Sequence, residues 1–181
     1  MNYEGDIIRP PSEANSIILQ ATVGCSHNKC TFCGAYRDRN FRLKEEKTIE
    51  ADLAFAAEYC RRLKTLFLAD GNALAMPQAK LVSLLQRIRS ILPWVRRVSL
   101  YANARDILRR SPDELRQLKD LGLSRLYMGL ETGHDPTLRA IAKGSESLAV
   151  IADGRLVREA GHFLSVTVLL GLAGSRASPS P

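Results

Sequence analysis

Short apolar runs alternate with stretches of helical period along most of the chain. The runs cover residues 16–23 (SIILQATV), 65–69 (TLFLA), 97–101 (RVSLY), 125–130 (RLYMGL) and 163–172 (FLSVTVLLGL). All are short and rich in β-branched, aromatic or leucine side chains, and each is read as a strand buried on both faces. Between them the apolar residues recur every three or four positions. Ile49, Leu53, Ala57, Cys60 and Leu63 form one stripe, and Leu81, Leu84, Leu85 and Ile88 form another behind Pro77, which is expected at a first helical position. Residues 111–122 carry full punctuation for a helix: Ser111 as N-cap, Pro112 next, Glu114 at the capping-box position and Gly122 as a left-handed stop. A short helix is expected from Asp135, and another from about Ser145 to Ala160, ending at Gly161. Strands and helices in this alternation predict a parallel sheet built from βα units.

The chemistry of such a fold gathers where the loops leave the C-terminal ends of the strands. After the first run come Cys25, Cys30 and Cys33; after the second, Asp70, Gly71 and Asn72; after the third, Asn103 and Arg105; after the fourth, Glu131 and Thr132. Taken singly these have ordinary explanations: Asp-Gly-Asn suits a turn, and an Arg in that position pairs with Asp106 or a helix end as readily as with a ligand carboxylate. His27 and His134 are expected in exposed loops, and Tyr101 and Tyr127 in the core. Cys60 falls on a helix's apolar face, where a small buried residue is the ordinary reading.

Composition narrows the choices. The 181 residues suffice for one domain, and no stretch approaches the roughly 20 apolar residues that cross a bilayer. The N-terminus lacks a basic-then-apolar leader, so a cytoplasmic protein without a membrane partner is expected. In a reducing compartment four cysteines, three of them within nine positions, point to metal or redox chemistry rather than a disulfide framework. The net charge of +7 suits a polyanion, but Lys and Arg are scattered over helix faces and aromatics are few, which disfavours nucleic acid without excluding it. Three thiolates fit zinc, with His27 as a possible fourth ligand, or an iron-sulfur cluster. A redox pair of Cys30 and Cys33 is a further option, although it leaves Cys25 unexplained.

The loop GCSHNKCTFCGAYR, DGN after the second strand, GLETG after the fourth and GLAG after the fifth together resemble the radical S-adenosylmethionine superfamily, over residues 16–174. The resemblance implies a partial (β/α) TIM-like barrel, about five parallel strands with outer helices, in place of the family's six. It implies a [4Fe-4S] cluster on Cys25, Cys30 and Cys33, with one iron open to S-adenosylmethionine. Phe32 would lie near the adenine. Asp70, Gly71 and Asn72 would hold the methionyl amino group, Glu131 the ribose or methionyl group, and the backbone of Gly171 would pass the adenine. The implied activity is reductive cleavage of S-adenosylmethionine to a 5′-deoxyadenosyl radical that abstracts hydrogen from a substrate, with an external electron donor of the flavodoxin or ferredoxin type. One departure stands out: four residues separate Cys25 and Cys30, where the family usually has three. The expected organisation is an N-terminal extension (1–15), a core (16–174) and a disordered or truncated tail (175–181). A cluster protein without catalysis, and an inactive truncated remnant, are the competing readings.

Overall fold

The computed structural model describes residues 1–174, so the tail at 175–181 lies outside the described residues. Its centre is a five-stranded parallel sheet in the order β1 (Ile17–Gln20), β4 (Thr65–Ala69), β5 (Arg97–Ala102), β6 (Leu123–Glu131) and β7 (Phe163–Val168). The register steps regularly across it, with Ile18 beside Phe67, Phe67 beside Ser99, Tyr101 beside Tyr127 and Tyr127 beside Ser165. Alternation along each strand gives two apolar faces. Leu19, Leu66, Leu68, Val98, Leu100, Leu126 and Met128 belong to the large core shared with the helices, whereas Phe67, Ala69 and Tyr127 form a second cluster on the other face with Ile18 and Tyr101.

The helices crossing between strands are α1 (Glu46–Tyr59), α2 (Gln78–Ile91), α4 (Pro112–Asp120) and α6 (Ser147–Glu159). α2 buries the whole of its announced stripe, Leu81, Leu84, Leu85 and Ile88, whereas of the α1 stripe Ile49 and Leu53 are buried, Ala57 is half-buried, and Cys60 and Leu63 lie beyond the helix end. The capping box of α4 is complete: Glu114 N donates to Ser111 Oγ, and Ser111 N donates to Glu114 Oε2. Gly122 then takes φ +101, as a left-handed stop requires. Pro77 stands just before α2 rather than inside it, and Cys60 just after α1, half-buried against the core.

Three features differ from the sequence expectation. The first apolar run does not continue to Val23 as one strand. Thr22 and Val23 form β2 and turn away to pair antiparallel with β3 (Arg42–Leu43), which staples the base of the cysteine loop. The fifth run stops at Val168: Leu169 N still donates to Glu131 O, but Gly171 and Gly174, both at positive φ, then bend the chain. A short α3 (Ala104–Leu108) follows β5, and one turn of amphipathic sequence is too little to reveal it. The short α5 (Asp135–Ala140) lies where expected.

Residues 1–15 pack on the barrel rather than standing apart from it. Tyr3 Oη donates to Ile18 O, Glu4 and Gln20 exchange hydrogen bonds, and Ile7 joins the inner aromatic cluster. At the N-terminal ends of the strands Glu13 is fully buried. It accepts from Tyr127 Oη at 2.5 Å and from Arg97 at 3.1 Å, and Ser16 also donates to it. A buried carboxylate with this many donors closes the floor of the barrel at low cost.

Candidate active site

At the opposite end, where the strands finish, a cavity of about 310 Å³ opens, within the roughly 300–1,000 Å³ range of small-molecule pockets. Cys25, Cys30 and Cys33 all line it, and none is in a disulfide. Their loop is held by many bonds of its own. Cys33 N donates to Cys30 O, closing a turn. The Arg37 guanidinium donates to the carbonyls of Cys33, Cys30 and Thr31, so a residue that the sequence did not single out caps the cysteine turn. Burial pushes the Cys30 thiol up, with the Lys143 ammonium opposing and the other two thiols adding to the rise.

Asp70, Gly71 and Asn72 end β4 directly beneath this loop, and they divide the work. Asp70, at φ 85, accepts from Gly24 N at 2.6 Å and from Gln20 Nε2 at 3.2 Å, while its other oxygen has no partner. Burial pushes its carboxyl up against those two hydrogen bonds. Asn72 donates to Ser26 Oγ and to Asp106, and its Oδ1 accepts from Asn103 N. Both side chains are buried and engaged with protein; of the three, Gly71 reaches the cavity. A Cβ on Gly71 would sit 2.7 Å from Cys25 Cβ and 2.9 Å from the Tyr36 ring, so a glycine is what allows the cysteine loop to lie so close.

Glu131 ends β6 at φ 66 and points into the cavity, where its Oε1 accepts from Lys143 Nζ at 2.7 Å. Gly129 makes room for this pair, since a Cβ there would lie 2.1 Å from Glu131 Oε1 and 2.9 Å from Lys143 Nζ. Lys143 was not among the sequence candidates: it sits in the loop after α5, and only the tertiary fold returns it to the thiols. Phe32 lines the same cavity and is partly exposed. Gly171 lies beyond the end of β7, exposed, with nothing within 4 Å of a Cβ built on it, and is not brought to the cavity wall. Asn103 does reach it, with Nδ2 3.9 Å from Cys25 Sγ. Arg105 stays outside on the rim, giving Gly144 O a long contact of 3.4 Å, and Asp106 pairs with Arg109 instead. The inner wall is aromatic: Tyr101 meets Phe67 edge-on at 5.2 Å and Tyr127 at 6.0 Å, and burial pushes its hydroxyl up to about 12. Tyr36, behind Gly71, is raised still further by burial.

Asn28, Asp70, Glu131 and Ala142 are the non-glycine residues at positive φ among the described residues; Glu131 lines the cavity, and the other three each adjoin a lining residue, His27, Gly71 and Lys143. Strain of this kind persists only where surrounding contacts over-determine it. Three thiols are soft donors of the kind that zinc and iron-sulfur clusters take. Among the described residues no three His, Cys, Asp or Glu side chains stand close enough to hold one metal ion, and His27 is bonded to Ala142 O instead of turning to the thiols. No helix among the described residues is long and apolar enough to cross a membrane.

Comparison with known proteins agrees with this architecture. A family model described as the Radical SAM superfamily matches residues 19–175. The heme chaperone HemW of Bacillus subtilis (strain 168) is 27% identical over 113 residues, which is 62% of this chain and 30% of that protein. Among solved structures, the cobalamin-dependent S-adenosylmethionine radical enzyme OxsB superposes with a TM-score of 0.70 at 18% identity, covering 84% of this chain and 23% of OxsB. Coproporphyrinogen III oxidase (HemN) from Escherichia coli superposes with a TM-score of 0.58 at 17% identity, covering 87% of this chain and 39% of HemN. The sheet and its outer helices thus correspond to part of a TIM-like barrel, and the chain spans between a quarter and two fifths of the length of these proteins.

Proposed function

The chain belongs to the radical SAM superfamily, whose members are enzymes that use a [4Fe-4S] cluster and S-adenosylmethionine, and from that premise we propose that its cavity is a site for both. The observation that carries the proposal is the convergence of three free thiols with a carboxylate–ammonium pair in one cavity at the C-terminal ends of parallel strands. Cys25, Cys30 and Cys33 would each hold one iron, leaving a fourth open. When bound, the cluster and S-adenosylmethionine supply one-electron cleavage of a carbon–sulfur bond and a 5′-deoxyadenosyl radical able to take hydrogen from a substrate, with an external flavodoxin- or ferredoxin-type protein as electron source.

The chain's own residues bind, orient and exclude water. A methionyl group carries an ammonium and a carboxylate, and Glu131 and Lys143 offer the complementary charges 2.7 Å apart. Binding would exchange one internal ion pair for two external ones. Gly71 would admit the same group through its exposed backbone, while Asp70 and Asn72 hold the surrounding loops. Phe32 offers a flat apolar face to an adenine. Gly171 would take part only after the segment beyond β7 folds inward. The aromatic wall of Tyr101 and Tyr127, backed by Phe67, would keep water from a reactive intermediate.

Anaerobic reconstitution with iron and sulfide, followed by EPR of the reduced protein with and without S-adenosylmethionine, tests this reading. A cubane signal that changes on addition is expected. An unchanged signal would leave a cluster protein without this chemistry, and failure to retain iron would remove the cluster itself. The competing reading, an inactive remnant, predicts poor solubility and non-cooperative unfolding.

A further inference from the structure

The residues between Cys25 and Cys30 are anchored to different parts of the molecule. Ser26 Oγ donates to Asp106 at 3.2 Å and accepts from Asn72 Nδ2 at 2.6 Å, tying the loop to α3 and to the turn after β4. Asn28 Nδ2 donates to the carbonyls of Tyr36 and Arg39, tying the loop to itself. His27 alone reaches the segment that follows α5: its Nε2 lies 2.8 Å from Ala142 O. A carbonyl only accepts, so Nε2 carries the hydrogen.

The place where His27 bonds is unusual. Ala142 stands at φ 53, a backbone region that a residue with a Cβ avoids, and Gly144 follows at φ +74. Gly144 presses on the imidazole, since a Cβ there would lie 2.6 Å from His27 Cε1. One step earlier, Thr31 N donates to Ile141 O at 2.9 Å. The cysteine loop therefore grips residues 141–144 at two carbonyls. Between Ala142 and Gly144 stands Lys143, whose ammonium enters the cavity opposite Glu131. A lysine has four flexible carbons, and its charge is placed only as well as its backbone is held. Ala142 N donates to Arg139 O and Lys143 N to Leu138 O, so α5 ends in a left-handed turn, and the bond from His27 to Ala142 O holds that turn against the cysteine loop.

We infer that His27 is a positioning residue: through Ala142 it sets where Lys143 stands, and so tunes the affinity of the cavity for the methionyl end of S-adenosylmethionine, without itself holding the cluster. The inference rests on the assignment of Lys143 and Glu131 to that group.

Two measurements on the full chain test it. In the cluster-free protein, hydrogen exchange is followed by mass spectrometry over residues 138–146 in the parent, His27→Ala and His27→Gln. Faster exchange of about tenfold at Ala142 and Lys143 is expected in His27→Ala, with recovery in His27→Gln, whose amide can still donate. In the reconstituted protein, S-adenosylmethionine is titrated against the EPR signal. His27→Ala is expected to weaken binding about five- to tenfold with iron content unchanged, and to have no further effect once Lys143 is Met. Unchanged exchange in His27→Ala overturns the inference, as does iron loss in that variant, or an equal weakening on the Lys143→Met background. If Lys143→Met itself binds as tightly as the parent, the assignment of Lys143 fails and the inference falls with it. That outcome is distinct from the exchange result, which reads the grip of His27 alone.

Discussion

Glu13 and Asp153 are both fully buried carboxylates, yet they act on stability in opposite senses. Burial raises Glu13, but hydrogen bonds from Ser16, Tyr127 and Ser99 and the charge of Arg97 outweigh it and leave its pKa below the usual carboxylate range. Its contribution is present above pH 4–5 and is lost as pH falls through the lowered value. Asp153, on α6, has no partner for either oxygen, and burial alone pushes it up to about 6. The stability associated with its neutral form is complete below its ordinary pKa near 3.8 and is lost as pH rises through 6. Asp153→Asn is therefore expected to raise stability at pH 7 by on the order of 1–3 kcal/mol, an effect that fades toward pH 4; chemical denaturation at the two pH values checks it. Glu13→Gln should lower stability at pH 7 by on the order of 1–3 kcal/mol and have little effect once pH has fallen below the lowered pKa of Glu13. The cysteines offer a sharper contrast. Cys30→Ala should abolish iron retention after reconstitution, whereas Cys60→Ala, at the end of α1 and away from the cavity, should leave it nearly intact; equal iron in both would remove Cys30 from the ligand set.

At the scale of elements, the ends of strands and the loops they carry are matched to one another by missing atoms as much as by bonds. Gly71 at the end of β4 leaves the space that Cys25 and Tyr36 fill, and both neighbours belong to the cysteine loop. Gly71→Ala should displace that loop at a cost of roughly 1–3 kcal/mol, as overpacking does, and lower iron content far more than the stability loss alone would. Iron assay beside thermal unfolding separates the two effects. Helices with long stripes or full capping signals were legible in the sequence, because burial and capping act on residues three or four apart. The division of the first apolar run into β1 and β2 was not, since nothing local distinguishes a strand from a strand that leaves its sheet at Ala21 to pair with Arg42 and Leu43.

For the molecule as a whole, the five strands make an open sheet with β1 and β7 at its edges, and the N-terminal segment lies over the inner face. Residues 1–15, read from sequence as an extension, supply Ile7 to the inner cluster and Glu13 to the floor. Removal of residues 2–9 should cost on the order of 2 kcal/mol, chiefly through Ile7 and the Glu4–Gln20 contacts, and lower Tm by roughly 5 °C, measurable by calorimetry. The other edge behaves differently. Leu164 on β7 packs inward against α6, but Val166 and Val168 face solvent, as do Leu148 and Ile151 on α6.

The alternation of apolar runs with helical stripes determined the parallel α/β sheet, and the three cysteines after the first strand marked the loop that lines the cavity, because strand burial, helix amphipathicity and thiol spacing are written in neighbouring residues. The pairing of Lys143 with Glu131, the grip of His27 on Ala142, the withdrawal of Asp70 and Asn72 from the cavity wall and the integration of the N-terminal segment were decided by tertiary structure alone. His27 and Ala142 lie 115 positions apart, and Ser12 and Tyr127 the same. Contacts over such distances depend on how the open parallel sheet sets the ends of its strands side by side, and no local pattern of side chains carries that information.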